Sequence, residues 1–136
     1  MYDTQLLKVK IRAGKTAAVI QFLRSLVERK DLSLEAMRRE GMMVESMFLE
    51  RRDDGDYLYY YVKARDLALA NQVNMQATDP LTLEIRRFVA ETWDHIVSPE
   101  PLLDFNLIQE KTAAKPRPRR KPKAPSPVPA PHALVG

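Results

Sequence analysis

The sequence predicts an α+β domain in the order β-α-β-β-α-β, with helices on one face of a four-stranded antiparallel sheet. Three observations favour this fold class. Short runs alternate apolar and polar residues, two longer runs repeat apolar residues at three- and four-residue steps, and an Asp-Gly pair separates two of the alternating runs. The length of 136 residues suits one domain with an additional segment.

The beginning of the chain predicts a strand followed by a long helix. Residues 6–12 alternate as a half-buried strand does. The period then changes, and residues 17–40 form the apolar stripe of an amphipathic helix. Thr16 is placed to cap the start of this helix, and Gly41 is placed to end it in a left-handed conformation.

The middle of the chain predicts a β-hairpin. Residues 42–50 and 57–63 both alternate, and Asp54-Gly55 lies in the charged stretch between them. An Asp-Gly pair between alternating runs is the strongest short-range signal of a hairpin. We therefore expect these two strands to pair antiparallel.

The last part of the domain predicts a broken helix and a final strand. The helix begins near Asp66, stops and restarts at Asp79-Pro80, and continues to about Val97. Residues 102–108 are short, apolar and bounded by turns, which favours a strand. With right-handed crossovers, the complete order is that of a ferredoxin-like domain.

The charge of the chain is unevenly distributed. Residues 111–136 contain seven of the 22 basic residues, none of the 18 acidic ones and seven of the ten prolines. Residues 1–110 therefore have a balance of −3 and form the predicted domain, whereas residues 111–136 are predicted to be a disordered basic tail. The tail is interpreted either as an electrostatic contact for nucleic acid, an anionic membrane or an acidic protein, or as a solubilising appendage.

The composition excludes several classes of site. Without cysteine, the chain has no disulfide framework, thiolate nucleophile or cysteine-ligated metal. No apolar run approaches the length of a membrane span, and the first residues lack the pattern of a signal peptide. We expect a cytoplasmic protein with neither a metal nor another cofactor.

Strand alternation predicts which side chains the helices leave uncovered. The residues predicted on that face are Leu6, Lys8, Lys10, Met43, Glu45, Met47, Leu49, Tyr57, Tyr59 and Tyr61. This mixture is too apolar for open solvent and too polar for a dry core. It favours either a second sheet from another subunit or a cavity between two sheets.

The hairpin region carries a resemblance to a known family. Residues 41–50 and 53–61, together with the opening residues 8–15, resemble an uncharacterised family of small bacterial proteins, over about residues 5–97. That family is similar in turn to the dimeric α/β-barrel superfamily, which implies a homodimer formed through the sheets. The superfamily includes cofactor-independent monooxygenases, haem-degrading enzymes, lactone isomerases and ligand-sensing domains of transcription factors, so the resemblance leaves the chemistry open.

Two residues are candidates for proton transfer. Glu45 is expected to point into the sheet interface beside Lys8 or Lys10, either as an ion pair that fixes register or as a buried carboxylate with a raised pKa. His95 is expected near the end of the second helix, either as a general base or as a favourable partner of the helix dipole. The tyrosines at 57, 59 and 61 either pack or, with the two lysines, hold a ligand.

Two functions of different classes follow from these features. The first is a small dimeric protein that binds an organic molecule in a sheet-lined pocket, with monooxygenase- or isomerase-like chemistry if it is an enzyme. The second is a non-enzymatic regulatory module whose two basic tails contact an anionic partner.

Overall fold

The computed structural model describes residues 2–108 and contains four strands and four helices within them. The elements are β1 (Asp3–Ile11), α1 (Thr16–Glu28), α2 (Lys30–Glu40), β2 (Met42–Arg52), β3 (Gly55–Ala64), α3 (Leu67–Gln76), α4 (Pro80–Thr92) and β4 (Trp93–Val97). The sheet has the order β2-β3-β1-β4, and every neighbouring pair is antiparallel. The predicted α+β, ferredoxin-like fold class is confirmed.

The core lies between the sheet and the helices. Its buried members are Val9, Ile11, Val19, Leu58, Phe88 and Trp93. Phe22 stacks on Phe88 with ring centroids 4.3 Å apart, which joins α1 to α4. The part of the chain up to Leu102 forms one compact unit that contains all eight elements. Every helix within residues 2–108 is too short or too polar to cross a bilayer.

The helix predicted over residues 17–40 is divided at Arg29. This residue follows α1 and precedes α2 with φ −102° and ψ 42°, outside the helical region. Its guanidinium donates to both carboxylate oxygens of Glu84 on α4, at 2.7 and 3.1 Å, and to the Ser25 hydroxyl at 2.9 Å. The two-pronged contact ties the break to α4, a tertiary interaction that helical periodicity does not reveal.

Most of the predicted helix ends are confirmed. Gly41 follows α2 with a positive φ of 73°. The carboxylates of Asp66 and Asp79 accept hydrogen bonds from the backbone N–H of Leu69 and Thr82. The role predicted for Thr16 is wrong, since Lys15 occupies the capping position and the Thr16 hydroxyl donates to Asp56 Oδ2 at 2.6 Å.

The faces of β2 are the reverse of the prediction. Directly opposed residues of an antiparallel pair share a face. Met47 lies opposite Tyr60 and packs against the core, whereas Phe48 lies opposite Tyr59 and is 60% exposed. Both sets of alternate residues on β2 contain large apolar side chains, so alternation alone did not distinguish its two faces.

The last strand also differs from the prediction. Residues 102–108 have no strand pairing, and β4 is instead Trp93–Val97, which begins directly after α4. Trp93 lies opposite Ile11 and is 8% exposed, so the core holds the start of β4. Trp93 also lies four residues after Val89, a spacing that continues the helical pattern and explains why the sequence predicts a helix here. The predicted tail, residues 111–136, lies outside the described residues.

Candidate functional site

The open face of the sheet, meaning the face opposite the helices, carries six of the seven predicted site residues. They are Lys8, Lys10, Tyr57, Tyr59, Tyr61 and His95. Lys10 lies opposite Tyr57 on β3, and Lys8 lies opposite Tyr59. The sheet therefore brings together on one surface residues that the sequence separates by up to 87 positions.

His95 reaches this surface from an element that the sequence did not predict. It lies on β4 directly opposite Lys10, and it is exposed. The predicted position at a helix end is wrong, and with it the interpretation as a partner of the helix dipole. A bulge between Lys10 and Ile11 sets the phase of β4, so that Trp93 faces the core while His95 faces outwards.

Three cationic side chains surround the ring of Tyr57. The Nζ atoms of Lys8 and Lys10 lie 5.0 and 5.9 Å from the ring centroid, and Arg52 Cζ lies 5.0 Å from it. The Tyr57 hydroxyl donates to Asp54 Oδ2 at 2.7 Å. This hydrogen bond raises the pKa of Tyr57 and, with the nearby charge of Arg52, lowers the pKa of Asp54.

A second tyrosine and carboxylate are held by the same arginine. The Tyr59 hydroxyl donates to Glu50 Oε1 at 2.6 Å, and this bond raises the pKa of Tyr59. Arg52 pairs with both carboxylates. Its Nη1 atom lies 3.8 Å from Glu50 Oε1, and its Nε atom lies 3.5 Å from Asp54 Oδ1. The acidic groups at this end of the open face therefore already have partners.

The two lysines are less completely paired. Within residues 2–108, neither ammonium forms an ion pair with a carboxylate at contact distance. Lys10 interacts electrostatically with Asp54, but that carboxylate already accepts from Tyr57. Lys8 and Lys10 thus provide positive charge that an incoming anion can neutralise.

Gly55 makes room for the Lys10 side chain. Gly55 opens β3 after the two-residue turn of Asp53 and Asp54, with a positive φ of 131°. A Cβ atom on Gly55 would lie 3.0 Å from Lys10 Cε. The glycine thus serves both the turn geometry and the path of the lysine across the sheet.

Glu45 is the exception among the predicted residues, because it lies on the other face of the sheet. It is opposite the buried Val62, on the side of the helices. Its Oε2 accepts a hydrogen bond from the Tyr60 hydroxyl, and the Tyr60 ring meets Trp93 edge-on at 6.1 Å. The predicted position beside Lys8 or Lys10 is therefore wrong. The reason is that the two faces of β2 are exchanged relative to the prediction, so Glu45 lies on the helix side of the sheet.

The surroundings of Glu45 form a separate polar group at the edge of the sheet. Burial, followed by the charge of Glu45, raises the pKa of Tyr60. Burial also raises the pKa of Glu40, whose carboxylate accepts from Asn74 Nδ2 at 3.1 Å. Because Glu45 and His95 lie on opposite faces, they cannot both transfer protons to one bound molecule.

Sequence reasoning missed the residues that organise the open face. Arg52 and Asp54 look like solvated turn charges in the sequence, although together with Glu50 they hold the two tyrosine hydroxyls and pair with each other. The hairpin register carried the missing signal. Counting outwards from a two-residue turn at Asp53-Asp54 places Glu50 opposite Tyr57.

Residues 2–108 contain no cluster of side chains that could bind a metal ion. Among residues 2–108, no three histidine or carboxylate side chains are grouped as ligands. A surface groove along α1 is lined by Ala17, Gln21, Arg24 and other residues of that one helix, and it includes none of the candidate residues.

Three solved structures are similar to this chain. PA3566 from Pseudomonas aeruginosa has 18% identity and a TM-score of 0.49, covering 74% of this chain and 93% of its own. SO0527 from Shewanella oneidensis has 18% identity and a TM-score of 0.47, with coverages of 73% and 93%. Rv0793 from Mycobacterium tuberculosis has 16% identity and a TM-score of 0.48, with coverages of 76% and 98%. A comparison with curated proteins finds no match.

A family model matches nearly the whole of the predicted domain. It spans residues 2–110, which include every strand and helix described above and all seven predicted site residues. The resemblance to an uncharacterised family is confirmed in this form. The chain belongs to a protein family of unknown function, DUF6176.

Proposed function

We propose that this protein is a homodimer that binds a small organic anion between the open faces of two copies. The observation that carries the proposal is the pair of lysines, Lys8 and Lys10, beside Tyr57 and Tyr59 on β3, with His95 next to Lys10 on β4. Cations beside aromatic surface suit a ligand with a carboxylate or similar group attached to a flat apolar part.

The charges of the open face favour an anion over a cation. Glu50 and Asp54 already accept from tyrosines and share Arg52 as a cationic partner. The lysine ammonium groups have the Tyr57 ring as their close neighbour instead. A bound carboxylate would supply the partner of opposite charge that Lys8 and Lys10 do not find at contact distance among residues 2–108.

The apolar part of the open face supports the homodimer. Phe48 is 60% exposed and Val97 is 45% exposed, and they lie on the same row of the sheet as Tyr59 and Lys8. An apolar sheet face of this kind is ordinarily covered by a second layer. A second copy provides such a layer and encloses the lysines in a pocket where their attraction for an anion is less screened.

If the protein catalyses a reaction at this face, His95 is the residue that transfers the proton. It is the one imidazole among residues 2–108, and it lies beside Lys10. Glu45 has no part in such a reaction because it faces the helices. Isomerase- or monooxygenase-like chemistry is proposed here only in this form, with the lysines and tyrosines holding the substrate.

The anion site is tested by titration with 2-naphthoate and with its neutral amide. The acid should bind more tightly than the amide, and the double substitution Lys8→Gln/Lys10→Gln should weaken acid binding by about tenfold or more. The matched control is Lys15→Gln/Lys30→Gln, which removes the same charge from exposed residues outside the sheet. Equal binding of acid and amide, or equal loss in both double variants, would contradict the proposal.

The homodimer is tested by sedimentation equilibrium. Phe48→Lys places a charge in the open face and should raise the dimer dissociation constant by about tenfold or more. Val27→Lys is the control, because Val27 is 74% exposed on α1, in the helical layer. A monomeric wild-type protein at micromolar concentration would overturn the homodimer.

The alternative interpretation, a regulatory module with a basic tail, concerns residues outside 2–108. The observation that supports it is the composition of residues 111–136, which contain seven basic and no acidic residues. A salt titration of nucleic-acid binding with and without the tail tests it. Binding that depends on the tail and falls steeply with salt would favour this function over the anion site.

A further inference from the structure

His95 lies on an edge strand of the sheet, where its exposed side chain is next to the two lysines of the open face. In the sheet of residues 2–108, β4 pairs with β1 alone. Lys10 lies directly opposite His95, and Lys8 lies opposite Val97, two residues further along each strand. Directly opposed side chains of an antiparallel pair have Cβ atoms about 5 Å apart. Like charges in this arrangement repel each other, and an anion bound between them removes the repulsion.

The charges of the open face near His95 leave a small positive excess. The basic side chains are Lys8, Lys10 and Arg52, and the acidic ones are Glu50 and Asp54. Arg12 directly after β1 and Asp94 on β4 flank this group with opposite charges and do not change its balance. Tyr57 and Tyr59 are hydrogen-bond donors to the two acids and therefore neutral. With a neutral histidine, the group has an excess of one positive charge.

This excess distinguishes between singly and doubly charged ligands. One negative charge on a ligand balances it, whereas a second negative charge has no counterpart unless the protein gains a proton. His95 is the one imidazole among residues 2–108, and imidazole is the side chain that ordinarily gains a proton close to neutral pH. Because His95 is exposed, a proton can reach it from solvent.

We propose that the open face binds a flat ligand with two negative charges, and that His95 takes up a proton when this ligand binds. The inference rests on the anion site proposed above and deepens it by naming the charge of the ligand. Lys8 and Lys10 hold one anionic group, and protonated His95 supplies the positive charge for the second. If the doubly charged ligand favours the protonated imidazole, then the protonated imidazole favours that ligand by the same factor. Affinity for two negative charges should therefore rise as the pH falls.

The charge of the ligand is tested with naphthalene-2,6-dicarboxylate and its monoamide, which are similar in size and differ by one negative charge. The carboxylates stay ionised between about pH 8 and about pH 6, the range in which histidine side chains gain a proton. The preference for the dicarboxylate is measured as the ratio of the two dissociation constants. This preference should increase by about threefold or more from the higher to the lower pH. A preference that does not change with pH overturns the inference.

The role of His95 is tested with His95→Gln, which keeps a hydrogen-bond donor but cannot gain a proton. In this variant the preference for the dicarboxylate should no longer change with pH. His132→Gln is the matched control, because it removes the second histidine of the chain and should leave the pH dependence intact. Since His95 is exposed, its substitution should not change thermal unfolding, and a lost preference then reports on the site and not on the fold.

Proton uptake itself is measured by calorimetry in two buffers that differ in ionisation enthalpy. Near neutral pH, the wild type should take up more protons with the dicarboxylate than with the monoamide. His95→Gln should show no such difference. If the extra uptake persists in His95→Gln, another group gains the proton and the inference is wrong.

The outcomes separate this inference from the anion site itself. If 2-naphthoate binds through the lysines but the dicarboxylate gains no advantage at lower pH, the site stands and the inference about its ligand is overturned. If neither 2-naphthoate nor the dicarboxylate binds, both are overturned.

Discussion

Lys10 Cε would lie 3.0 Å from a Cβ atom on Gly55, so this lysine of the open face and the glycine of the hairpin depend on each other. The glycine also adopts φ 131°, a conformation that side chains rarely permit. One position therefore controls both the geometry of the turn and the direction of a charge.

Gly55→Ala should lower the free energy of unfolding by about 1 to 2 kcal/mol and displace the Lys10 ammonium from the Tyr57 ring. Gly14→Ala is the control, because Gly14 also has a positive φ, of 79°, but no atom would lie within 4 Å of its Cβ. Chemical denaturation measures both costs. If Gly55→Ala leaves stability and 2-naphthoate binding unchanged, the proposed dependence is wrong.

Glu45→Gln should leave 2-naphthoate affinity unchanged to within about twofold, because Glu45 faces the helices. His95→Gln, on the open face beside Lys10, should weaken binding by about threefold or more. Titration of both variants against the wild type measures the contrast. A large loss of affinity in Glu45→Gln alone would instead place the ligand between the sheet and the helices.

Tyr60→Phe should reduce stability by about 1 kcal/mol at neutral pH, because Glu45 loses the hydroxyl that donates to it. The pKa of Tyr60 is raised in the folded protein, so its contribution is fully present below the unfolded value of about 10 and is lost as the pH rises through the folded value. The difference between wild type and variant should therefore shrink above about pH 10. Denaturation curves measured from neutral to alkaline pH test this trend, and a constant difference would contradict it.

Asp79→Ala should reduce stability by about 1 kcal/mol, because the Thr82 amide at the start of α4 loses its acceptor. Asp79→Asn retains an acceptor oxygen and should lose less. The bond from Thr82 lowers the pKa of Asp79, so the stabilisation from its charge is present above about pH 4 and is lost as the pH falls through the folded value. Wild type and Asp79→Asn should then converge in acid, whereas a difference that persists there would show that the charge has no role.

The sequence predicts the fold more completely than it predicts the site. Periodicity and turn residues identify β1, the hairpin and the caps at Asp66 and Asp79, since each depends on neighbouring residues. The break at Arg29 escapes prediction because the contact that holds Arg29 there is made with Glu84, 55 residues away in the chain.

The site is predicted well on two strands, β1 and β3, and wrongly on the other two, β2 and β4. β1 and β3 have one clearly apolar face each, which placed Lys8 and Tyr57 correctly. Both faces of β2 are partly apolar, so the position of Glu45 depended on register rather than on composition. His95 reached the open face only because a five-residue strand follows α4, and so short a strand gives too little alternation to be distinguished from the end of a helix.

The direct junction of α4 with β4 fixes where the domain can change in length. Thr92 ends the helix and Trp93 begins the strand, with no residue between them. One inserted residue would turn β4 over, so that His95 would face the helices and the indole of Trp93 would face solvent. Insertions should be accommodated directly after β4, at residues 98–101, which belong to no strand or helix of the described part of the chain. The length of the chain at this junction therefore determines which side chains of β4 face the core and which face the open side of the sheet.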